Sequence, residues 1–134
     1  LSPFIFDIIA SDEEGRNVSV QVKASRSGSW QFANISQYCD ITFDGKRQVV
    51  GRMKPCPVKR LIMVFVRILD DGNDSFYVLR WKALRDLLVS HYVGYLAKHS
   101  GIRPKKWDSL HCAVTEQKLM PYQDKWDAIE KSLK

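Results

Sequence analysis

Three residues near the start of the chain have the types and spacing to do chemistry: Asp7, Gln21 and Lys23. Asp7 interrupts an otherwise apolar run, Phe4-Ile5-Phe6-Asp7-Ile8-Ile9-Ala10. A carboxylate there is costly to bury unless a cation pairs with it, and either Lys23 or a metal ion would serve. Gln21 and Lys23 stand two apart in Asn17-Val18-Ser19-Val20-Gln21-Val22-Lys23, where Val18, Val20 and Val22 alternate with polar residues. Period two is that of a strand, so Gln21 and Lys23 share one face and the valines the other.

The elements that must position this trio follow from the same stretch. Two runs rich in β-branched and aromatic residues flank Ser11-Asp12-Glu13-Glu14-Gly15-Arg16, which predicts a β-hairpin. Ala24 to Ser29 is a small polar segment, Trp30–Ala33 a third strand, and Ile41–Phe43 before Asp44-Gly45 a strand and turn. Lys46–Arg60 holds six basic residues, no acid, and Pro55 and Pro57, and reads as an exposed loop. Leu61 to Leu69 is an apolar run of a strand buried on both faces. A strong turn, Asp70-Asp71-Gly72-Asn73-Asp74, returns it to the strand Ser75–Leu79. Leu84, Leu87, Leu88, Tyr92, Tyr95 and Leu96 recur at helical spacing over Trp81–His99, and Gly101 and Pro104 end that helix. A short strand at His111–Val114 and a helix over Pro121–Leu133 complete an α/β or α+β chain around one mixed sheet, a single domain over 1–134.

The hairpin with its Asp7 … Gln21-Val22-Lys23-Ala24-Ser25 pattern resembles the active-site core of the PD-(D/E)XK nuclease superfamily. In that family an Asp on one strand meets a (D/E)-X-K tripeptide on the next. The later strand pair and helix are similar to restriction-endonuclease-like and resolvase-like folds, with a central mixed sheet flanked by helices. The resemblance implies a metal-dependent DNA endonuclease using Mg²⁺ or Mn²⁺. Asp7, the Gln21 side-chain oxygen and the Val22 backbone carbonyl would be the metal ligands, and Lys23 would orient or deprotonate the attacking water. Gln21 stands where the family has an acid, which removes one negative charge and lowers the expected Mg²⁺ affinity. The family also takes a Glu from a helix before the Asp strand; the chain opens six residues before Asp7 without a Met, so an N-terminal helix is expected to be lacking from it. The alternatives are an inactive nuclease-like fold acting as a nucleic-acid-binding or protein-interaction module, and a plain Asp7–Lys23 salt bridge.

Composition bounds these readings. At 134 residues, 45% hydrophobic and 27% charged, the chain is long enough for one core, and its longest apolar run is too short to span a membrane. A net charge of +6 and a pI near 9.3 favour an anionic partner, DNA in first place. Ser25 and Arg26 beside the trio, Lys46, Arg47, Arg52 and Lys54 in the basic loop, and Lys105 and Lys106 next to Trp107 are the candidate phosphate contacts. Three widely spaced cysteines argue for free thiols in a reducing, cytoplasmic setting and against a disulfide framework or zinc site. His91, His99 and His111 lack metal-ligand spacing, and the isolated glycines form no phosphate-cradling loop. Nucleases of this type often work as a homodimer because a duplex has two strands to cut; the sequence marks no dimer face.

Overall fold

A computed structural model describes residues 7–133, a mixed α/β chain with a central mixed sheet and three α-helices. The chain forms two compact units. The first holds the chain up to Trp30, then Cys56–Leu84 and the chain from Thr115 onward; the second holds Gln31–Pro55 and Arg85–Val114. The part of the first apolar run at Phe4–Phe6 lies outside the described residues.

The first unit carries the central sheet. Strand β1 (Ile8–Ser11) runs antiparallel to β2 (Asn17–Ser25), which runs parallel to β6 (Leu61–Arg67), which pairs antiparallel with β7 (Ser75–Arg80). One face is hydrophobic because the β2 alternation meets β-branched partners. Val18, Val20, Ile62, Val64 and Val78 form its core, with Ala128, Ile129 and Leu133 from the C-terminal segment packed on them. On the opposite face Met63 and Phe65 of β6 lie beside Leu79 and Tyr77 of β7, all buried, and Trp30 stands edge-on to Phe65 and Tyr77 at 5.3 and 6.4 Å between ring centres. Leu61–Phe65 is thus buried on both faces, as its unbroken apolar run predicts.

The predicted C-terminal helix over Pro121–Leu133 is instead broken. Helix α2 (Glu116–Leu119), a 3₁₀ turn at Met120–Tyr122 and helix α3 (Asp127–Ser132) replace it. Asp124 takes a left-handed conformation, φ 55°, and its N–H donates to the Phe76 carbonyl at 2.9 Å, so the chain hooks onto β7 instead of continuing helically.

In the second unit β4 (Cys39–Asp44) and β5 (Arg47–Met53) form a hairpin through Gly45-Lys46. The expectation of an exposed loop from Lys46 to Arg60 is therefore wrong over Arg47–Met53. The one buried residue of β5 is Gln48, whose amide nitrogen donates to the carbonyls of Trp107 and Ser109 at 2.9 and 2.8 Å. Its amide oxygen accepts the Tyr92 hydroxyl at 2.5 Å. Arg103 is also structural: it lies 5.6 and 5.4 Å from the Tyr92 and Tyr95 ring centres and donates to the His111 carbonyl at 2.7 Å. Helix α1 (Trp81–Lys98) starts in the first unit and continues into this one, and strands β3 (Ser29–Phe32) and β8 (Cys112–Thr115), which pair with each other, carry the chain between the two. Among the described residues no helix is long and apolar enough to cross a membrane.

Candidate active site

The hairpin that holds the candidate trio is set by its turn. Asp12 accepts the N–H groups of Glu14 and Arg16 at 3.0 and 2.9 Å and the Arg16 guanidinium at 2.6 Å, and Gly15 takes the left-handed conformation, φ 79°, that the reversal needs. Desolvation, the largest single influence, would raise the Asp12 pKa, but the hydrogen bonds from Arg16 and the Glu14 N–H together with the Arg16 charge outweigh it and hold the carboxyl below the usual range. The turn fixes the register as Ile8 opposite Val20. Asp7 precedes β1, and its N–H donates to the Val20 carbonyl at 2.8 Å, one residue out of the register that pairs Ile8 with Val20, so the chain leaves the regular ladder there.

Gln21 and Lys23 share one face of β2, and Asp7 lies just before the neighbouring strand. Asp7 is exposed, and its carboxylate accepts the Val22 N–H at 2.7 Å. The burial cost that would call for a buried Asp7–Lys23 salt bridge does not arise, and the carboxylate is bonded to backbone instead. Gln21 and Lys23 are half-buried, with Met63 and Phe65 as their β6 neighbours, so the amide and the ammonium rise from a floor of buried apolar side chains.

The donor set is all oxygen: one carboxylate, one side-chain amide and one backbone carbonyl. That chemistry suits a hard cation such as Mg²⁺, which keeps several waters and takes only one or two protein carboxylates. Among the described residues no group of three or more His, Cys, Asp or Glu is placed to hold a metal, so any ion at Asp7 would be held by few charges.

The other candidate contacts divide. Ser25 and Arg26 belong to the same unit as the trio. The Ser25 hydroxyl donates to the Ser29 carbonyl at 2.9 Å and accepts the Ser27 N–H at 3.2 Å, a turn-forming role, while exposed Arg26 lies 3.4 Å from Asp70. Lys46, Arg47, Arg52, Lys54, Lys105 and Lys106 belong to the second unit. Arg47 pairs with Asp44 at 3.0 Å and the Lys54 ammonium is bonded to the Ser36 carbonyl, so Lys54 is a structural lysine. Lys46, Arg52, Lys105 and Lys106 are exposed, and Trp107 leans edge-on against Phe43 at 5.8 Å.

Sequence reasoning passed over a polar group on the face that carries Lys23. Arg67 lies beside Ser25, and Tyr77 lies one strand beyond Phe65 in the row of Lys23. The Tyr77 hydroxyl donates to Glu116 at 2.5 Å, and Arg67 lies 3.5 Å from the other oxygen of Glu116. Gly28, at φ 81°, permits this: a Cβ there would fall 2.0 Å from the Arg67 guanidinium. The step of two from Met63 and Phe65 to Arg67 was the available signal, since it places a cation on the Lys23 face; Glu116, remote in sequence, left none.

Burial raises the pKa of the Tyr77 phenol, and the bond to Glu116 and the Glu116 charge raise it further, to about 12. An unfolded tyrosine ionises near 10, so the neutral phenol contributes stability in full below pH 10 and progressively less as pH rises toward 12. Urea midpoints are expected to fall across that window for the wild type and to fall less for Tyr77→Phe. Identical slopes in the two proteins would remove Tyr77 from the alkaline transition.

A scan of protein-family models finds no match to this chain, and comparisons with curated proteins and with solved structures find none either.

Proposed function

We propose that this chain is a metal-dependent DNA endonuclease with a restriction-endonuclease-like fold of the PD-(D/E)XK type, in a variant with Gln21 in place of the first acid. The observation that supports the reading is that the exposed Asp7 carboxylate accepts the backbone N–H of Val22, the residue between Gln21 and Lys23. Asp7, the Gln21 amide oxygen and the Val22 carbonyl would hold Mg²⁺ or Mn²⁺. The ion, when bound, polarises the phosphodiester and lowers the pKa of a bound water. Lys23, on its apolar floor, orients the attacking water and offsets negative charge in the transition state. The Val22 N–H fixes the Asp7 carboxylate before substrate arrives, which removes part of the ordering cost of the reaction. The basic balance of the chain favours DNA as partner, the unpaired cysteine pattern a cytoplasmic setting, and cutting of both strands of a duplex would require a homodimer or two successive events.

The test is calorimetry with Mn²⁺ and Mg²⁺ on wild type and Asp7→Ala, carried out on the full-length natural protein, followed by cleavage assays on duplex, junction and single-stranded DNA. Binding is expected in the wild type and to be lost in Asp7→Ala. The second reading, a non-catalytic nucleic-acid-binding or protein-interaction module on the same scaffold, is favoured by the single carboxylate of the donor set. It takes over if the wild type binds no metal at millimolar concentration, with and without DNA.

A further inference from the structure

The first unit holds a second feature whose residues converge without serving the trio. A cleft of about 400 Å³ opens between the segment before β6, the junction of β7 with α1, and the end of α3. Four cations line it, Arg60, Arg80, Lys82 and Lys131, together with the buried Trp81 and the exposed Cys56. Among the described residues no Asp or Glu belongs to its lining. Lys131 pairs with Asp127 at 2.9 Å, whereas Arg60, Arg80 and Lys82 have no ion-pair partner among the described residues.

Separate segments of the chain deliver these charges, so no single run of basic sequence accounts for them. Arg60 is held in a left-handed conformation, φ 58°, while its carbonyl accepts the Ser19 N–H at 3.2 Å, which fixes the backbone at the rim of the cleft. Arg80 is the exposed last residue of β7, opposite Ile62, and Lys82 lies in a first helical turn that has no acidic residue to balance it. Cations crowded round one concavity repel each other, and an anion that enters it relieves the repulsion while gaining charge-assisted hydrogen bonds. The volume suits a small polyoxyanion, and two guanidiniums match phosphate oxygens in pairs.

We propose that this cleft is a phosphate-binding site, distinct from the Asp7–Gln21–Lys23 face. Leu61, at its edge, pairs with Ser19, and Phe65 pairs with Lys23. The cleft therefore lies about 13 Å along the β2–β6 pair from Lys23, at roughly 3.3 Å per residue. The phosphate arrives on a nucleic-acid strand or on a small phosphorylated molecule, and the site itself does not depend on chemistry at Lys23.

Cys56 offers a reporter within the wild-type protein, because it is exposed in the cleft while Cys39 and Cys112 are buried. Its alkylation by N-ethylmaleimide, followed by mass spectrometry in EDTA at constant ionic strength, is to be measured alone, with inorganic phosphate, and with a single-stranded 12-nucleotide DNA. Only free protein reacts, so 90% occupancy is expected to slow Cys56 about tenfold. Arg80→Ala/Lys82→Ala is expected to abolish protection and to lower the log–log salt dependence of DNA binding by about two. Lys118→Ala/Lys125→Ala, which removes two exposed charges elsewhere in the unit, is expected to leave protection intact. Protection by DNA but not by phosphate identifies a strand as the source, and protection by phosphate alone a small phosphorylated ligand; both support the site. Unprotected Cys56 with either probe, or equal protection in the cleft variant, overturns it. Because EDTA suppresses cleavage, this outcome is independent of whether the chain is a nuclease.

Discussion

Lys23→Ala is expected to lower DNA cleavage by about 10²–10⁴-fold, the usual contribution of a positioned acid–base group, while leaving the urea midpoint and most DNA affinity unchanged. The argument is positional. Lys23 shares a strand face with Gln21, the Asp7 carboxylate accepts the N–H of Val22 between them, and the β6 neighbour of Lys23 is the fully buried Phe65. An ammonium raised on such a floor is shielded from part of the solvent, so its charge acts on a developing oxyanion more strongly than it would in open water. Lys23→Arg keeps the charge but replaces a compact ammonium with a broader planar guanidinium of different hydrogen-bond geometry, so it is expected to remain impaired. Cleavage by purified Lys23→Ala at the wild-type rate would remove Lys23 from the mechanism.

The largest effect on stability is expected at Trp30. Its side chain is 3% exposed and packs edge-on against Phe65 and Tyr77, so Trp30→Ala leaves a cavity in the middle of the first unit and should cost about 3–5 kcal/mol. For a chain of this size that is a fall of roughly 10–20 °C in Tm. The indole N–H, however, has no hydrogen-bond partner among the described residues. An unpaired buried donor costs about 1–3 kcal/mol. Trp30→Phe keeps an edge-on ring and removes that donor, so its relief offsets much of the lost volume and the net change should be far smaller than for alanine. Urea unfolding of the three proteins measures both numbers, and a phenylalanine variant as unstable as the alanine one would mean that the indole is satisfied in solution.

Much of this molecule is legible in its residues where burial and hydrophobicity coincide. The alternation through Val18, Val20 and Val22 and the polar turn at Asp12–Arg16 are sufficient to set the β1–β2 hairpin, and the unbroken Leu61–Val66 run marks the central strand. Strand β5 escaped because its buried residue is Gln48, satisfied by two carbonyls and a tyrosine, so a polar residue occupies the position where a hydrophobic one signals a strand. The C-terminal helix misled for the opposite reason. Tyr122, Trp126, Ile129 and Leu133 keep helical spacing, but a backbone bond from Asp124 to Phe76 outweighs that local preference. The four cations of the cleft come from three segments remote from one another in sequence, so only the folded chain brings them together.

The parallel pairing of β2 with β6 also bears on how the protein acquires its structure. Ser19 and Leu61 are neighbours in the sheet yet roughly forty residues apart in the chain, and the residues between them include the whole β4–β5 hairpin of the other unit. Closing so long a loop costs entropy before any contact repays it. The β4–β5 hairpin, joined by two residues, needs no such closure and can form on the microsecond scale, and once formed it shortens the slack between β2 and β6. The candidate active face sits on the strand that waits for this step, so the β1–β2 hairpin emerges early while its apolar floor arrives late. During that interval Val18, Val20 and the open edge of β2 stand uncovered, which makes the β2–β6 join the point at which refolding at high protein concentration would divert into aggregation.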